Sequence, residues 1–316
     1  MKTGKSKNEE GEKQEDMKMY DVIIIGAGPA GISAGIYCSE QRTKSTNFEK
    51  NQVGGLIRRV SAVTHYAAIV EGETGESFAK RLRKQAENAG VEILKTEVKK
   101  VELTGVEKRI YTEKECYCAK KVILANGTSP RKLGIPGEIE LAGRGIGMNA
   151  AKDAMKYRGK HVYVIGGADG AVKEALYLAG VAEKVTIIHF EETLGCIAQF
   201  QEKVAHTPNI ELRLHARLHA VYGVEKVESL EILDEKTGAI ETIEDPGCGI
   251  FVYVGTVPNT ELYNEIRLDN GFLTTDENMQ TEIPGVYAVG DIRVKQVRQV
   301  STAVADGTIA AIHAAR

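Results

Sequence analysis

A chain of 316 residues that is 42% hydrophobic and 27% charged is long enough for about two domains, each with its own core. Its net charge of −3 gives no pull toward nucleic acid or an anionic membrane surface, and no stretch reaches the roughly 18 uninterrupted apolar residues of a membrane span. Five cysteines form no CxxC and no zinc spacing, so no metal is assigned and a cytoplasmic protein with reduced thiols is the expectation.

In chain order, Met1–Met19 comes first as a disordered charged tail. It holds no Val, Ile, Leu or aromatic residue, and it lacks the apolar segment of a secretion signal. The folded part is expected from Tyr20. Val22-Ile23-Ile24-Ile25 reads as a buried strand, and Gly26-Ala27-Gly28-Pro29-Ala30-Gly31 follows as a GxGxxG turn that opens a helix. Gly26 permits the turn, Gly28 lets backbone approach a pyrophosphate, and Gly31 lets helix and strand pack closely. The helix start then offers its N–H groups to the phosphates. Ser45-Thr46-Asn47-Phe48 leads to Glu49, at the distance where an acid holds ribose hydroxyls, with Lys50 beside it. Gly54-Gly55-Leu56-Ile57 comes next. Cys116-Tyr117-Cys118 lies in a strand-like run with both thiols on one side; packing is the favoured role, with a redox role kept open. Val122-Ile123-Leu124 ends in the small-residue turn Ala125-Asn126-Gly127-Thr128.

The same context then recurs. Val162-Tyr163-Val164-Ile165 precedes Gly166-Gly167-Ala168-Asp169-Gly170-Ala171, with a helix expected over Val172–Ala179. His215 and His219 have metal-pair spacing only on a helix, and the alternation of Leu212, Leu214, Ala216 and Leu218 predicts a strand. Near the end, Gly285-Val286-Tyr287-Ala288-Val289 runs into Gly290-Asp291, and Arg298-Gln299-Val300 opens a small-residue helix through Ala311. One such glycine turn is weak evidence. Two in matching strand–turn–helix settings predict an α/β chain with two Rossmann-like three-layer nucleotide-binding domains.

With these residues the chain resembles the low-molecular-weight thioredoxin reductase family of FAD flavoenzymes, from Tyr20 to Arg316. The resemblance implies that FAD is bound by the first fingerprint, Glu49 and the Gly290-Asp291 turn. Asp291 would hold ribityl or phosphate groups, and Arg298, Gln299 and Val300 would lie along the isoalloxazine ring. It implies that the second domain is inserted into the first: residues 20–128 and 246–316 form the FAD domain, and 129–245 the second, NAD(P)-type domain. A homodimer follows from the same resemblance. His65-Tyr66-Ala67-Ala68 replaces the family's Asn-aromatic-Pro-Gly turn, so His65 either contacts the flavin or substitutes structurally for that Asn. Arg58 and Arg59 replace small hydroxyl residues.

Two departures shape the expected function. Where the family carries its redox CxxC, this chain has Asn149-Ala150-Ala151-Lys152, followed by Asp153 where the family has an acid beside the pair; Asp153 is either a proton-transfer group or a solvated or helix-capping aspartate. Where the family has HRRxxxR, it reads His189-Phe190-Glu191-Glu192-Thr193-Leu194-Gly195, so the arginines that clamp a 2′-phosphate are missing. NADPH is therefore an unlikely donor. The second site is left three readings: NADH with Glu191 on a ribose hydroxyl, another ADP-containing ligand such as a second FAD, or no nucleotide and a docking role. The leading expectation is an FAD-dependent oxidoreductase without the CxxC. It would take electrons from ferredoxin, flavodoxin, NADH or a second flavin and pass them to an unknown acceptor. Asp153, Cys116 and Cys118 are the catalytic candidates. The alternative is a non-catalytic FAD-binding redox sensor or partner-binding module; intact flavin-contact segments favour the enzyme.

Overall fold

The computed structural model describes residues 18–316. The tail expectation therefore lies outside the described residues, except that Lys18 and Met19 already belong to the first strand. That strand, β1 (Lys18–Ile25), is central: Val22, Ile23 and Ile24 are wholly buried, as expected when both faces of a parallel strand are covered. With strands numbered along the chain, the first sheet runs β3 (Ile93–Leu94), β2 (Ser45–Phe48), β1, β6 (Cys116–Leu124), β5 (Lys108–Thr112) and β4 (Val98–Glu102). β18 (Val286–Ala288) pairs in parallel with the last residues of β6, while β5 pairs antiparallel with its first ones.

Three layers result. Ile23 and Ile25 face a core shared with Val101, Tyr117 and Tyr263 on the side of the antiparallel meander. Val22 and Ile24 face Ala30, Ala34 and Ala303 on the side of helices α1 (Pro29–Glu40) and α6 (Val300–Ala314). These two helices cross closely because small residues meet: a Cβ on Gly307 would lie 2.1 Å from the Ala30 carbonyl oxygen. Ser33 Oγ donates to the Val304 carbonyl across the same contact (2.9 Å). A third helix, α2 (Gly75–Asn88), starts on a Thr74–Ser77 capping box and buries Phe78, Ala79 and Leu82.

The second unit repeats this plan. β10 (Ile210–Arg213), β9 (Lys184–Ile188), β8 (His161–Ile165) and β14 (Gly249–Val252) form a parallel sheet in that order, with the meander β11 (Ala216–Tyr222), β12 (Ser229–Asp234) and β13 (Ile240–Glu244) beside it. α4 (Asp169–Ala179) follows β8, and α5 (Ala198–Ala205) packs against α4. The strand reading of 212–218 thus has its counterpart in β10 and β11, with His215 in the turn between them at φ +52°.

The expected return to the first domain at residue 246 does not match the strand pairing. Gly249–Val252 pairs with Val162–Ile165 in the second sheet. The chain crosses out along β7 (Thr128–Pro130) and back along β15 (Thr256–Pro258), which pair antiparallel with each other. Cys248-Gly249-Ile250 reads as a strand in either sheet, so local sequence cannot assign it. The hairpin β16 (Leu268–Asp269) and β17 (Phe272–Leu273) completes the strands. A four-residue helix, α3 (Ala150–Asp153), precedes β8. No helix among the described residues is long and apolar enough to cross a membrane.

Candidate functional site: a cleft at the first fingerprint

A cavity of about 1610 Å³ opens at the C-terminal ends of β1, β2, β6 and β18. This is where ligands sit in doubly wound sheets, because the strand order reverses there and leaves a crevice. Of the expected FAD residues, Gly26, Gly28, Pro29, Ala30, Glu49, Lys50, Gly55, Leu56, Ile57, Ala125, Asn126, Gly127, Gly290, Asp291, Arg298, Gln299 and Val300 line it. Gly31 and Gly54 do not. Gly31 is a packing residue, since a Cβ there would lie 2.2 Å from the Gly26 carbonyl oxygen, and Gly54 shapes the turn at φ +113°.

The glycines divide their tasks as the fingerprint requires. Gly26 adopts φ +120° with a would-be Cβ 2.3 Å from the Ala125 carbonyl oxygen. Gly28 is different: the nearest atom to its would-be Cβ is 3.9 Å away. Protein packing does not demand glycine at 28, but a ligand lying against that backbone does. Glu49 is set in place by backbone, its carboxylate accepting from the Ala27 N–H (3.0 Å) and the Asn51 N–H (2.7 Å). Asn126 accepts from the hydroxyl of the fully buried Tyr263.

Asp291 is the strongest mark of a ligand. Its Oδ1 is buried and has no partner. Burial pushes its carboxyl above the ordinary aspartate range, against the pull of Lys295 and Arg298. The turn that presents it is held by Asp306 of α6. This buried carboxylate accepts from the Gly290 N–H (3.0 Å) and pairs with Lys295 (2.7 Å). Asp306 was missed in the sequence, though an aspartate inside the apolar run Ala303-Val304-Ala305 to Ala310 was the signal available. The orphaned oxygen, the open space at Gly28 and the cleft's size fit FAD, whose bound isoalloxazine supplies reversible electron transfer. Arg298 packs over Phe272 (4.2 Å to the ring centroid), and Gln299 caps α6.

The inserted unit closes the cleft's other side. Asn149, Ala151, Lys152, Asp153 and Lys156 line the same cavity. Asn149 caps α3, accepting from the Lys152 N–H (3.0 Å), and its Nδ2 donates across to the Arg59 carbonyl (2.8 Å). Asp153 accepts from the Asn149 N–H (2.9 Å) and pairs with Lys156 (2.7 Å). Burial pushes its carboxyl up, but Lys156 and the Asn149 N–H outweigh this and hold it below the usual range. The helix-capping role of Asp153 is therefore realised in the geometry.

Three expectations are corrected. Cys116 and Cys118 sit at the opposite end of β6, about 25 Å from the cleft at strand rise. No cysteine is among the residues lining the cleft. Burial also pushes the thiols of Cys38 and Cys248 to about 12 and raises those of Cys118 and Cys196, the opposite of a primed nucleophile. His65 does not line the cleft; its ring lies 5.8 Å from that of Phe200 in the inserted unit. Glu191 is displaced from the ribose position. Gly26 N–H bonds to the Phe48 carbonyl and Gly166 N–H to the Ile188 carbonyl, so His189 corresponds to Glu49. Glu191 instead accepts from His189 Nε2 (3.0 Å). Gly166, Gly167, Ala168, Asp169, Gly170 and Ala171 form the expected strand–turn–helix, away from this cleft. Ala168 adopts the extended backbone that Gly28 has in the first copy.

A split sheet pair, a repeated glycine fingerprint and a cleft large enough for FAD define a two-domain flavin and pyridine-nucleotide oxidoreductase fold. The family model described as pyridine nucleotide-disulphide oxidoreductase matches residues 20–307, and the chain belongs to that family. It is 41% identical to a thioredoxin reductase of Peptoclostridium acidaminophilum over 302 residues, covering 94% of this chain and 96% of that protein. It is also similar to the crystal structure of Lactococcus lactis thioredoxin reductase in its FR conformation (TM-score 0.89, 35% identity, 93% and 97% covered). A ferredoxin-flavin thioredoxin reductase from Clostridium acetobutylicum matches at TM-score 0.52 with 28% identity, covering 95% of this chain and 98% of that one. The chain is thus an FAD-dependent oxidoreductase of the thioredoxin-reductase-like type.

Proposed function

We propose that this flavoprotein exchanges electrons with an acidic carrier protein of the ferredoxin or flavodoxin kind, and that it uses neither NADPH nor a redox dithiol of its own. The observation that carries this reading is the wall of the cleft: Asn149 and Lys152 line it, and no cysteine does. Neither side chain can alternate between dithiol and disulfide. Arg58 is paired with Glu76 (2.6 Å), Lys156 with Asp153 (2.7 Å) and Lys50 with Glu97 (3.8 Å), while the exposed Arg59, Lys95 and Lys152 line the cleft outside any ion pair among the described residues, Arg59 and Lys152 on the side where the inserted unit meets it. Met155, three positions after Lys152, is exposed. Positive charge around an apolar contact suits an acidic partner and steers its approach. Loss of the 2′-phosphate arginines, at Phe190, Glu191 and Gly195, supports the exclusion of NADPH. A homodimer belongs to the same proposal, and sedimentation equilibrium measures it.

The test is the rate of flavin reduction by a reduced acidic ferredoxin. Arg59→Glu and Lys152→Glu each slow it about tenfold at low salt. Raising the salt slows the wild type and narrows the difference. Rates indifferent to both charge and salt contradict docking at this rim.

A further inference from the structure

The paired cysteines at the start of β6 take no part in the electron path above. Between and after them, Tyr117 and Ala119 face the core that holds Ile23 and Val122. Side chains alternate along a strand, so Cys116 and Cys118 leave the opposite face of the sheet together. Their thiols are in hydrogen-bond contact. β1 brings a third sulfur alongside. Met19 is the partner of Cys118 in the parallel register, and the next residue, Tyr20, points into the core. Met19 therefore shares the face of the two thiols. Cys118 is wholly buried, Cys116 is half-buried and Met19 is 37% exposed, so the group has a closed end and an open one.

The spacing and the ligand chemistry point the same way. Residues two apart on a strand stand about 6.6 Å apart, so thiols that touch across this gap lean toward each other. Two metal–thiolate bonds of about 2.3 Å span up to about 4.6 Å, a distance that touching thiols can match. Structural zinc sites close with four ligands and draw on Cys pairs two to four residues apart, whereas this face offers three sulfurs with a single residue between the cysteines. Thiolate and thioether are soft ligands, the kind that select Cu(I). Arg109 of β5 lies directly opposite Cys118. Burial first, and then Cys116 and Glu107, hold Cys118 as a thiol; the Arg109 guanidinium opposes them. Two thiolates around a monovalent cation leave one negative charge, and Arg109 stands where it offsets that charge.

We propose that Met19, Cys116 and Cys118 form a seat for a soft monovalent cation, Cu(I). The two thiolates clamp the metal from β6, and the thioether caps it from β1. The metal enters at the open end, past Cys116 and Met19. Each thiol gives its proton to solvent as its sulfur–metal bond forms, and neither metal nor sulfur changes oxidation state. Binding therefore tightens as pH rises. The seat lies at the far end of β6 from the flavin cleft and is independent of the carrier protein.

The experiment is anaerobic titration of the FAD-loaded full chain with Cu(I) held by bicinchoninate, whose colour fades as the protein takes the metal. A single Cu(I) per chain is expected, with affinity rising with pH. Cys116→Ser is expected to weaken it at least about a hundredfold, because loss of an outer-shell partner alone costs roughly 10–100-fold. Met19→Leu removes the weaker ligand and is expected to cost about tenfold. Flavin content should be unchanged in both variants, which controls for folding. Excess Zn(II) should not displace the metal. Failure to take Cu(I) from the chelator overturns the seat, as does uptake independent of pH. Uptake by Cys116→Ser as tight as by the wild type also overturns it, since the metal would then sit on other cysteines. An unchanged affinity in Met19→Leu overturns the three-sulfur arrangement.

Discussion

Asp291 carries a buried oxygen with no protein partner, at the point where the last segment of the chain meets the first fingerprint. A charge-assisted bond to a ligand hydroxyl is worth roughly 1.5–3 kcal/mol. Asp291→Ala should therefore weaken FAD retention about ten- to hundredfold, read as flavin per chain after gel filtration; full retention would remove Asp291 from the site. Asp153 makes a different prediction. Its carboxyl is held lower in the folded chain than in the unfolded one, so its contribution is complete above the unfolded pKa and disappears as pH falls through the folded one. Asp153→Asn should destabilise the chain near neutral pH by an amount on the order of 1 kcal/mol, read as a lower thermal midpoint, and match the wild type in acid. An equal gap at both pH values would mean that the charge is not what matters. At this scale much was legible in the sequence: Asn126 and Asp291 lie next to glycine turns that announce themselves, and Glu49 stands at the expected distance after the first fingerprint. Asp306 was not read, because an aspartate within an apolar helix shows a buried partner but not which one; Gly290 and Lys295, 16 and 11 positions earlier, meet it only once α6 packs.

Among the elements, the strand–turn–helix at Gly26–Gly31 yields a paired test. Gly28→Ala has room within the protein, so it should leave folding intact and lower FAD affinity. Gly31→Ala drives a methyl to 2.2 Å from the Gly26 carbonyl oxygen and should destabilise the chain itself, seen as a lower unfolding midpoint even without flavin. If both variants unfold alike, Gly28 is a packing residue and the argument from open space fails. The parallel strands were legible from their uninterrupted apolar runs, as in Val22–Ile25 and Val162–Ile165. β14 was misassigned because Gly249–Val252 carries no mark of which sheet it joins; only its register with β8 decides.

For the whole molecule, the inserted unit is moored to residues 59–62 by three bonds: Asn149 Nδ2 to the Arg59 carbonyl, Lys173 Nζ to the Ala62 carbonyl, and Ser61 N–H to Glu174. Glu174 is almost fully buried, and burial pushes its carboxyl up. Glu174→Ala strands the Ser61 N–H at a cost of about 1–3 kcal/mol, so amide exchange at Ser61 should accelerate ahead of the core of either sheet. Exchange rising equally throughout would mean that the two units unfold as one. The arrangement so moored brings Asn149 and Lys152 to the flavin cleft, and the absence of a dithiol among the cleft's lining residues is the centre of the account. Its most direct test is anaerobic titration of the FAD-loaded protein with NADPH and, separately, with reduced ferredoxin, followed by flavin absorbance. Ferredoxin should bleach the flavin and NADPH should not; rapid bleaching by NADPH, with turnover of thioredoxin disulfide, would contradict it.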